Sequence, residues 1–152
     1  MNKNIPCIIL AAGKGERMKS NIPKVLHPLC GRPTLGYVLD LVKGLNFNKV
    51  IAVVGHKHEE VNKLLGRGIK TVVQKKLLGT ADAVKEAMSW LKNFKGPVLV
   101  LYADNPLLKK ETIQRLLEHH RENNLDATLL TATVEKPQGY GRILRDKYAS
   151  IC

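Results

Sequence analysis

The sequence predicts a three-layer α/β fold, with a mostly parallel sheet and helices on both of its faces. Three observations predict it. The runs rich in β-branched residues are continuously apolar rather than alternating, as in strands covered on both sides. Stretches of helical periodicity separate them, as the crossovers of a parallel sheet require. The residues suited to chemistry fall just after these runs, on what becomes one rim of the sheet.

Composition narrows the class further. A chain of 152 residues suits one domain over 1–152, and 44% hydrophobic with 25% charged residues suits a folded globular protein rather than a disordered one. No apolar run approaches the roughly 20 residues needed to span a bilayer, so no membrane partner is expected. The start, Met1-Asn2-Lys3-Asn4, does not read as a secretory signal. Three cysteines (Cys7, Cys30, Cys152), odd in number and far apart, give neither a disulfide framework nor a zinc spacing, which suits the reducing cytoplasm. The net charge is +12, but the cations are scattered and aromatics make up only 5%. That pattern suits a small polyanionic ligand and argues against nucleic acid, which needs a basic stripe or a stacking platform.

The first strand is expected over 5–10. It empties into Ala11-Ala12-Gly13-Lys14-Gly15-Glu16-Arg17-Met18 and on to Pro23-Lys24-Val25. Small residues let a backbone approach a ligand, bare amides form an anion nest, and Lys14, Arg17 and Lys24 can hold charge there. No G-x-x-x-x-G-K-[ST] phosphate loop occurs. The dinucleotide pattern G-x-G-x-x-G fails at its third position, where Met18 stands. A glycine-rich turn with solvated lysines accounts for the loop equally well at this point. Next, Pro33 and Thr34 open a helix with Leu35, Val38, Leu39, Leu41 and Val42 on its apolar face, ending near Gly44. A strand over 49–54 is closed by Gly55, a short helix covers 59–65, and a third strand covers 71–73 with Gln74 at its exit. Helical spacing returns over 80–91, a wholly apolar strand covers 97–101, a helix covers 110–123, and a last strand is expected over 127–134. There are no internal repeats and no low-complexity tract.

Asp104 follows the fourth strand. A carboxylate there has to be solvated, paired or bound to a cation, and beside phosphates Mg²⁺ is the natural partner; a turn aspartate in Asp104-Asn105-Pro106 is the plainer alternative. Gln74 offers a donor and an acceptor together, which suits a pyrimidine edge. The following Leu78-Gly79-Thr80 reads equally as a threonine helix cap behind a glycine turn. Gly139-Tyr140-Gly141-Arg142 admits close backbone approach, or simply turns the chain. The histidines have no interpretable metal spacing, and the adjacent His119 and His120 point to different helix faces.

Taken together, Leu10-Ala-Ala-Gly-Lys-Gly-Glu-Arg-Met18 with Pro23-Lys-Val-Leu-His27, Gln74 with Leu78-Gly-Thr80, Tyr102-Ala-Asp104 with Pro106-Leu107, and Gly139-Tyr-Gly-Arg-Ile143 resemble the sugar-nucleotide pyrophosphorylases. The resemblance runs along the whole chain. It is most specific to the uridylyltransferase half of the bacterial bifunctional N-acetylglucosamine-1-phosphate uridylyltransferase/glucosamine-1-phosphate acetyltransferases. It implies the Rossmann-like nucleotide-diphospho-sugar transferase fold and Mg²⁺-dependent uridylyl transfer from UTP to N-acetylglucosamine-1-phosphate. Another sugar-phosphate or MobA-like nucleotidyltransferase, or a non-catalytic nucleotide-binding module, is the alternative.

By that resemblance, the backbone of Leu10, Ala11, Ala12 and Gly13 contacts the nucleotide, and Gln74, Gly79 and Thr80 read uracil. Arg17 and Lys24 neutralise the triphosphate as the catalytic cations, and Asp104 holds Mg²⁺. Tyr102, Ala103 and Gly141 line the sugar and ribose side. Ala103 stands where the family usually has glycine, so a methyl is expected near the sugar or ribose. Measured against the family, the chain reads as a shortened nucleotidyltransferase domain. By that resemblance it is expected to lack the later sugar-binding Glu and Asn, a second metal-binding Asn and the β-helix acetyltransferase domain. The family's trimer contacts lie largely in that β-helix, so no homo-oligomer is assigned.

Overall fold

The strand β1 (Cys7–Ala11) is the axis on which the first part of the chain is built. The structure, a computed structural model, describes residues 4–148 and 151, and forms two compact units, Met1–Arg115 and Leu116–Cys152. After β1 come two single turns of 3₁₀ helix, Glu16–Met18 and Lys24–Leu26, and an antiparallel ribbon of β2 (Pro28–Leu29) and β3 (Arg32–Pro33). The ribbon was not expected from the sequence. Its turn, Cys30-Gly31, has φ of 49° and 78°, the pair of positive values that a two-residue type I′ turn needs.

Then follow α1 (Thr34–Leu45), β4 (Val50–Val54), α2 (His58–Asn62), β5 (Ile69–Val73), α3 (Thr80–Met88), β6 (Leu99–Tyr102) and α4 (Lys110–Glu122). The main sheet has the order β5-β4-β1-β6, every pair parallel. Register places Ile8 between Ile51 and Val100, and Leu10 between Val53 and Tyr102. The chain steps from β1 outward to β4 and β5, then crosses back to lay β6 on the other side of β1. That reversal creates a switch point between the carboxyl ends of β1 and β6.

The pleat divides these strands between two faces. Ile8, Ile51 and Val53 pack with Ala83, Ala87 and Leu91 on the α3 side. Cys7, Ile9, Ala52, Val54, Leu99 and Leu101 point the other way and are also buried. Right-handed crossovers put α1 and α2 over that second face, where α1 buries Leu35, Val38, Val42 and Leu45. Burial pushes the Cys7 thiol up to about 12, so it stays protonated. Cys7 and the exposed Cys30 are both free; Cys152 lies outside the described residues.

Some expectations shift at their ends. The helix expected over 80–91 is α-helical only to Met88 and finishes as a 3₁₀ turn, Ser89–Leu91. Gly79, at φ 104°, is its cap residue, and Thr80 is the first helical residue rather than the cap. The strand expected over 127–134 does not form. Apart from the partly buried Thr128, its β-branched residues are exposed, and they make no ladder; β-propensity without a pairing partner does not hold a strand.

In the second unit α4 ends at Glu122 and the chain turns through Asn124 (φ 47°), with the Leu125 amide donating to His120 O at 3.1 Å. His120 Nδ1 meets Thr128 Oγ1 at 2.9 Å, whereas His119 Nδ1 meets Asn123 Nδ2 at 3.2 Å, so the adjacent rings do serve separate faces. Gly139 (φ 81°) occupies the third position of a turn closed by Tyr140 N and Pro137 O at 3.1 Å, and no hairpin strands flank it. Among the described residues no helix is long and apolar enough to cross a membrane.

Candidate functional site

The loop leaving β1 is held by two glycines for different reasons. Gly55 closes β4 against the backbone of Ala12, and a Cβ there would sit 2.4 Å from Ala12 O. Gly15 has φ +68° and lies so near Lys24 that its Cβ would come within 2.6 Å of the lysine Cβ. Only glycine combines the left-handed turn with that approach. Lys24 itself opens a 3₁₀ turn that is fastened to the rest of the unit. Val25 is buried, its carbonyl accepts from Thr34 Oγ1 at 3.0 Å, and the Thr34 amide donates to His27 O at 3.1 Å.

From that turn Lys24 reaches across the switch point, and its Nζ pairs with Asp104 Oδ2. One partner follows β1 and the other follows β6, so the ion pair bridges the crevice that the reversal of strand order creates. Both side chains remain about a third exposed. Arg17 and Lys14 line the same cleft and have no protein partner among the described residues. Positive charge on this rim is therefore only partly neutralised by the protein itself.

Gln74 leaves β5 with its amide N–H bonded to Val54 O at 2.8 Å, and its side chain turns inward. It is the one buried polar side chain among the described residues, 5% exposed. Its Nε2 donates to Gly79 O at 3.2 Å and to Asp82 Oδ2 at 2.6 Å. The start of α3 is thus tied to the end of β5 at the cleft wall.

The cleft is about 870 Å³. Leu10, Ala11, Ala12, Gly13, Arg17, Lys24, Gln74, Gly79, Thr80, Tyr102 and Asp104 all line it, so these predicted residues are brought together. Ala103 corrects the expectation. It is wholly buried, its amide donates to Leu10 O at 3.0 Å, and its methyl does not reach the cleft surface. Tyr102 and Ala103 are successive residues at a strand end, so the pleat turns the first toward the cleft and the second into the core. Gly141 belongs to the second unit, where it is exposed.

Sequence reasoning gave Asp82, Gly55 and Thr34 no part in the site. An acid in the first turn of a helix signals only a favourable dipole contact, although a glycine directly after a buried strand does hint at close backbone approach. Asp104 and Glu16 are the carboxylates on the cleft, and among the described residues no cluster of three His, Cys, Asp or Glu side chains could hold a metal. One carboxylate completed by water and phosphate oxygens fits Mg²⁺ and does not fit a zinc-type cage.

A parallel sheet that offers bare amides, unpaired cations and one carboxylate at its switch point defines an α/β protein built for a phosphorylated nucleotide. The family model described as "MobA-like NTP transferase domain" matches residues 7–150. The chain belongs to that family and is a nucleotidyltransferase domain. It is 51% identical to the Bifunctional protein GlmU of Alkaliphilus metalliredigens over 142 residues, 93% of this chain and 31% of the relative. The chain thus spans about a third of the length of the curated relatives it matches. Among solved structures it is similar to 4-diphosphocytidyl-2C-methyl-D-erythritol synthase from Anaerococcus prevotii, with TM-score 0.67 and 20% identity over 99% of this chain and 64% of that one. It is also similar to Rv0371c of Mycobacterium tuberculosis in complex with manganese, with TM-score 0.62 and 22% identity over 75% of this chain and 58% of that one. These two likenesses establish the fold.

Proposed function

We propose that the cleft binds UTP with Mg²⁺ and supports uridylyl transfer to N-acetylglucosamine-1-phosphate, giving UDP-N-acetylglucosamine and releasing pyrophosphate. The observation that carries the reading is the meeting of Arg17, Lys24, Gln74 and Asp104 on one rim. The likeness to GlmU supports the choice of substrates. In this reading Arg17 and Lys24 hold the triphosphate, and the amides of the loop from Leu10 to Gly13 approach the nucleotide. Gln74, Gly79 and Thr80 face the base, and Tyr102 borders the sugar side.

Transfer needs no protein nucleophile. An oxygen of the sugar phosphate attacks the α-phosphorus of UTP in line, and pyrophosphate leaves. The chain's own work is to place two anions and to offset the negative charge that builds up on the phosphates. Asp104 would hold Mg²⁺, which when bound polarises phosphate oxygens. Two free cysteines are compatible with a cytoplasmic setting.

Calorimetry with UTP, CTP, dTTP and GTP in Mg²⁺, together with a pyrophosphate-release assay on N-acetylglucosamine-1-phosphate, tests this reading. The expected result is selective binding of UTP with release above background. A preference for GTP refutes the uracil reading. UTP binding with background release under every sugar phosphate refutes the catalytic part and leaves a nucleotide-binding module.

A further inference from the structure

We infer that Asp82 is a positioning residue that fixes the base preference of the cleft by locking the orientation of the Gln74 amide. This rests on the reading that Gln74 faces the base. A glutamine amide can turn over, presenting either its oxygen or its nitrogen to a ligand. Here both partners on its inner side are acceptors: Gly79 O at 3.2 Å and Asp82 Oδ2 at 2.6 Å from Nε2. Neither can donate, so the nitrogen is committed inward. Among the described residues Oε1 has no protein partner, and it is not a sealed buried atom, so it is the amide atom left accessible where Gln74 borders the cleft.

The consequence is a fixed acceptor on the base-reading side. Uracil and thymine carry an N–H at ring position 3 and can donate to it. Cytosine has an unprotonated ring nitrogen there, so acceptor would face acceptor. Gly79 O alone is a weak lock, because it is a single neutral acceptor that also receives the Ala83 amide at 3.2 Å. Asp82 supplies the short, charge-assisted bond that makes the flipped state costly. An asparagine at 82 can donate as well as accept, so it tolerates both amide orientations.

Asp82 also lies in the first turn of α3, where an acid favours the helix dipole. A dipole role alone changes stability and leaves base choice untouched, so the test separates the two. UTP and CTP affinities are measured by calorimetry on the whole 152-residue chain for wild type, Asp82→Asn and Asp82→Ala, with thermal unfolding of each. The UTP-over-CTP ratio is expected to fall by about tenfold in both variants, the scale of losing one charged hydrogen bond. In parallel, the ¹⁵N-resolved side-chain amide protons of Gln74 are expected to exchange slowly in the nucleotide-free wild type and quickly in both variants. An unchanged ratio in folded Asp82→Asn, or fast Gln74 exchange in the wild type, overturns the inference. A wild type that protects the Gln74 amide yet binds UTP no better than CTP overturns both this inference and the uracil reading. Slow exchange that survives in both variants overturns Asp82 alone.

Discussion

Replacing Lys24 by alanine should move the two ligands of the cleft in opposite directions. In the nucleotide-free chain Lys24 Nζ sits on Asp104 Oδ2, with side chains 34% and 30% exposed, so the pair is partly shielded from solvent. Exposed pairs contribute about 0.2–1 kcal/mol and hydrogen bonds to charged groups about 1.5–3 kcal/mol, so about 1 kcal/mol is a fair value for this one. Released from the lysine, Asp104 should bind Mn²⁺ about fivefold more tightly when no nucleotide is present. In the proposed reading the same substitution also removes a contact to the triphosphate. The wild type must first break the ion pair to make that contact, so the net loss for UTP–Mg²⁺ is about 0.5–2 kcal/mol, roughly two- to thirtyfold. Free Mn²⁺ followed by electron paramagnetic resonance reports the first effect and calorimetry reports the second. Asp104→Asn is the control, expected to abolish the metal response. If Lys24→Ala leaves Mn²⁺ affinity unchanged or lower, Asp104 is not the cation's seat and the exchange of partners is refuted.

Three further perturbations address the scaffold and the loop. Gly55→Ala places a methyl 2.4 Å from Ala12 O and should cost about 1–3 kcal/mol in urea unfolding, with weaker UTP binding because the loop is displaced; an unaltered midpoint would contradict the packing described. Arg17→Ala, at an exposed position without a partner among the described residues, should shift stability by less than about 0.5 kcal/mol yet weaken UTP about tenfold, and equal losses in both measurements would assign Arg17 to the fold instead. Cys7, its thiol pushed up to about 12, should resist iodoacetamide in the folded chain while Cys30 reacts, as mapped by mass spectrometry. The same shift makes folding less favourable as pH rises from about 9 toward 12, because only the unfolded chain releases that proton there, and Cys7→Ala should flatten this part of the stability–pH curve.

Strand and helix order in the first unit was legible because each element carries its own period. β1 and β4 are apolar runs covered on both faces, and α1 repeats its apolar side every three to four residues. The rim residues were legible too, since in a parallel sheet every loop after a strand returns to one edge. Side-of-pleat was not. Tyr102, Ala103 and Asp104 are adjacent, and only the register against Leu10 decides that Ala103 turns inward. The ribbon of β2 and β3 was invisible because two-residue strands that each contain a proline, Pro28 and Pro33, carry no propensity signal. The run over 127–134 misled for the opposite reason: its composition favours a strand, but pairing decides. The hydrogen bond from the Gln74 nitrogen joins it to Asp82, eight residues along in the first turn of α3, a relation that spacing alone does not reveal.

Lys24 and Asp104 stand 80 positions apart, and their meeting requires the chain to double back over β1 after completing β5. Such long-range closure is costly in chain entropy and comes late relative to local turns and helices. A ligand that grips both sides of the crevice therefore recognises only chains that have made this return, and it stabilises them by mass action in proportion to its occupancy. The concentration of such a ligand thereby becomes a determinant of how much of the protein stays folded.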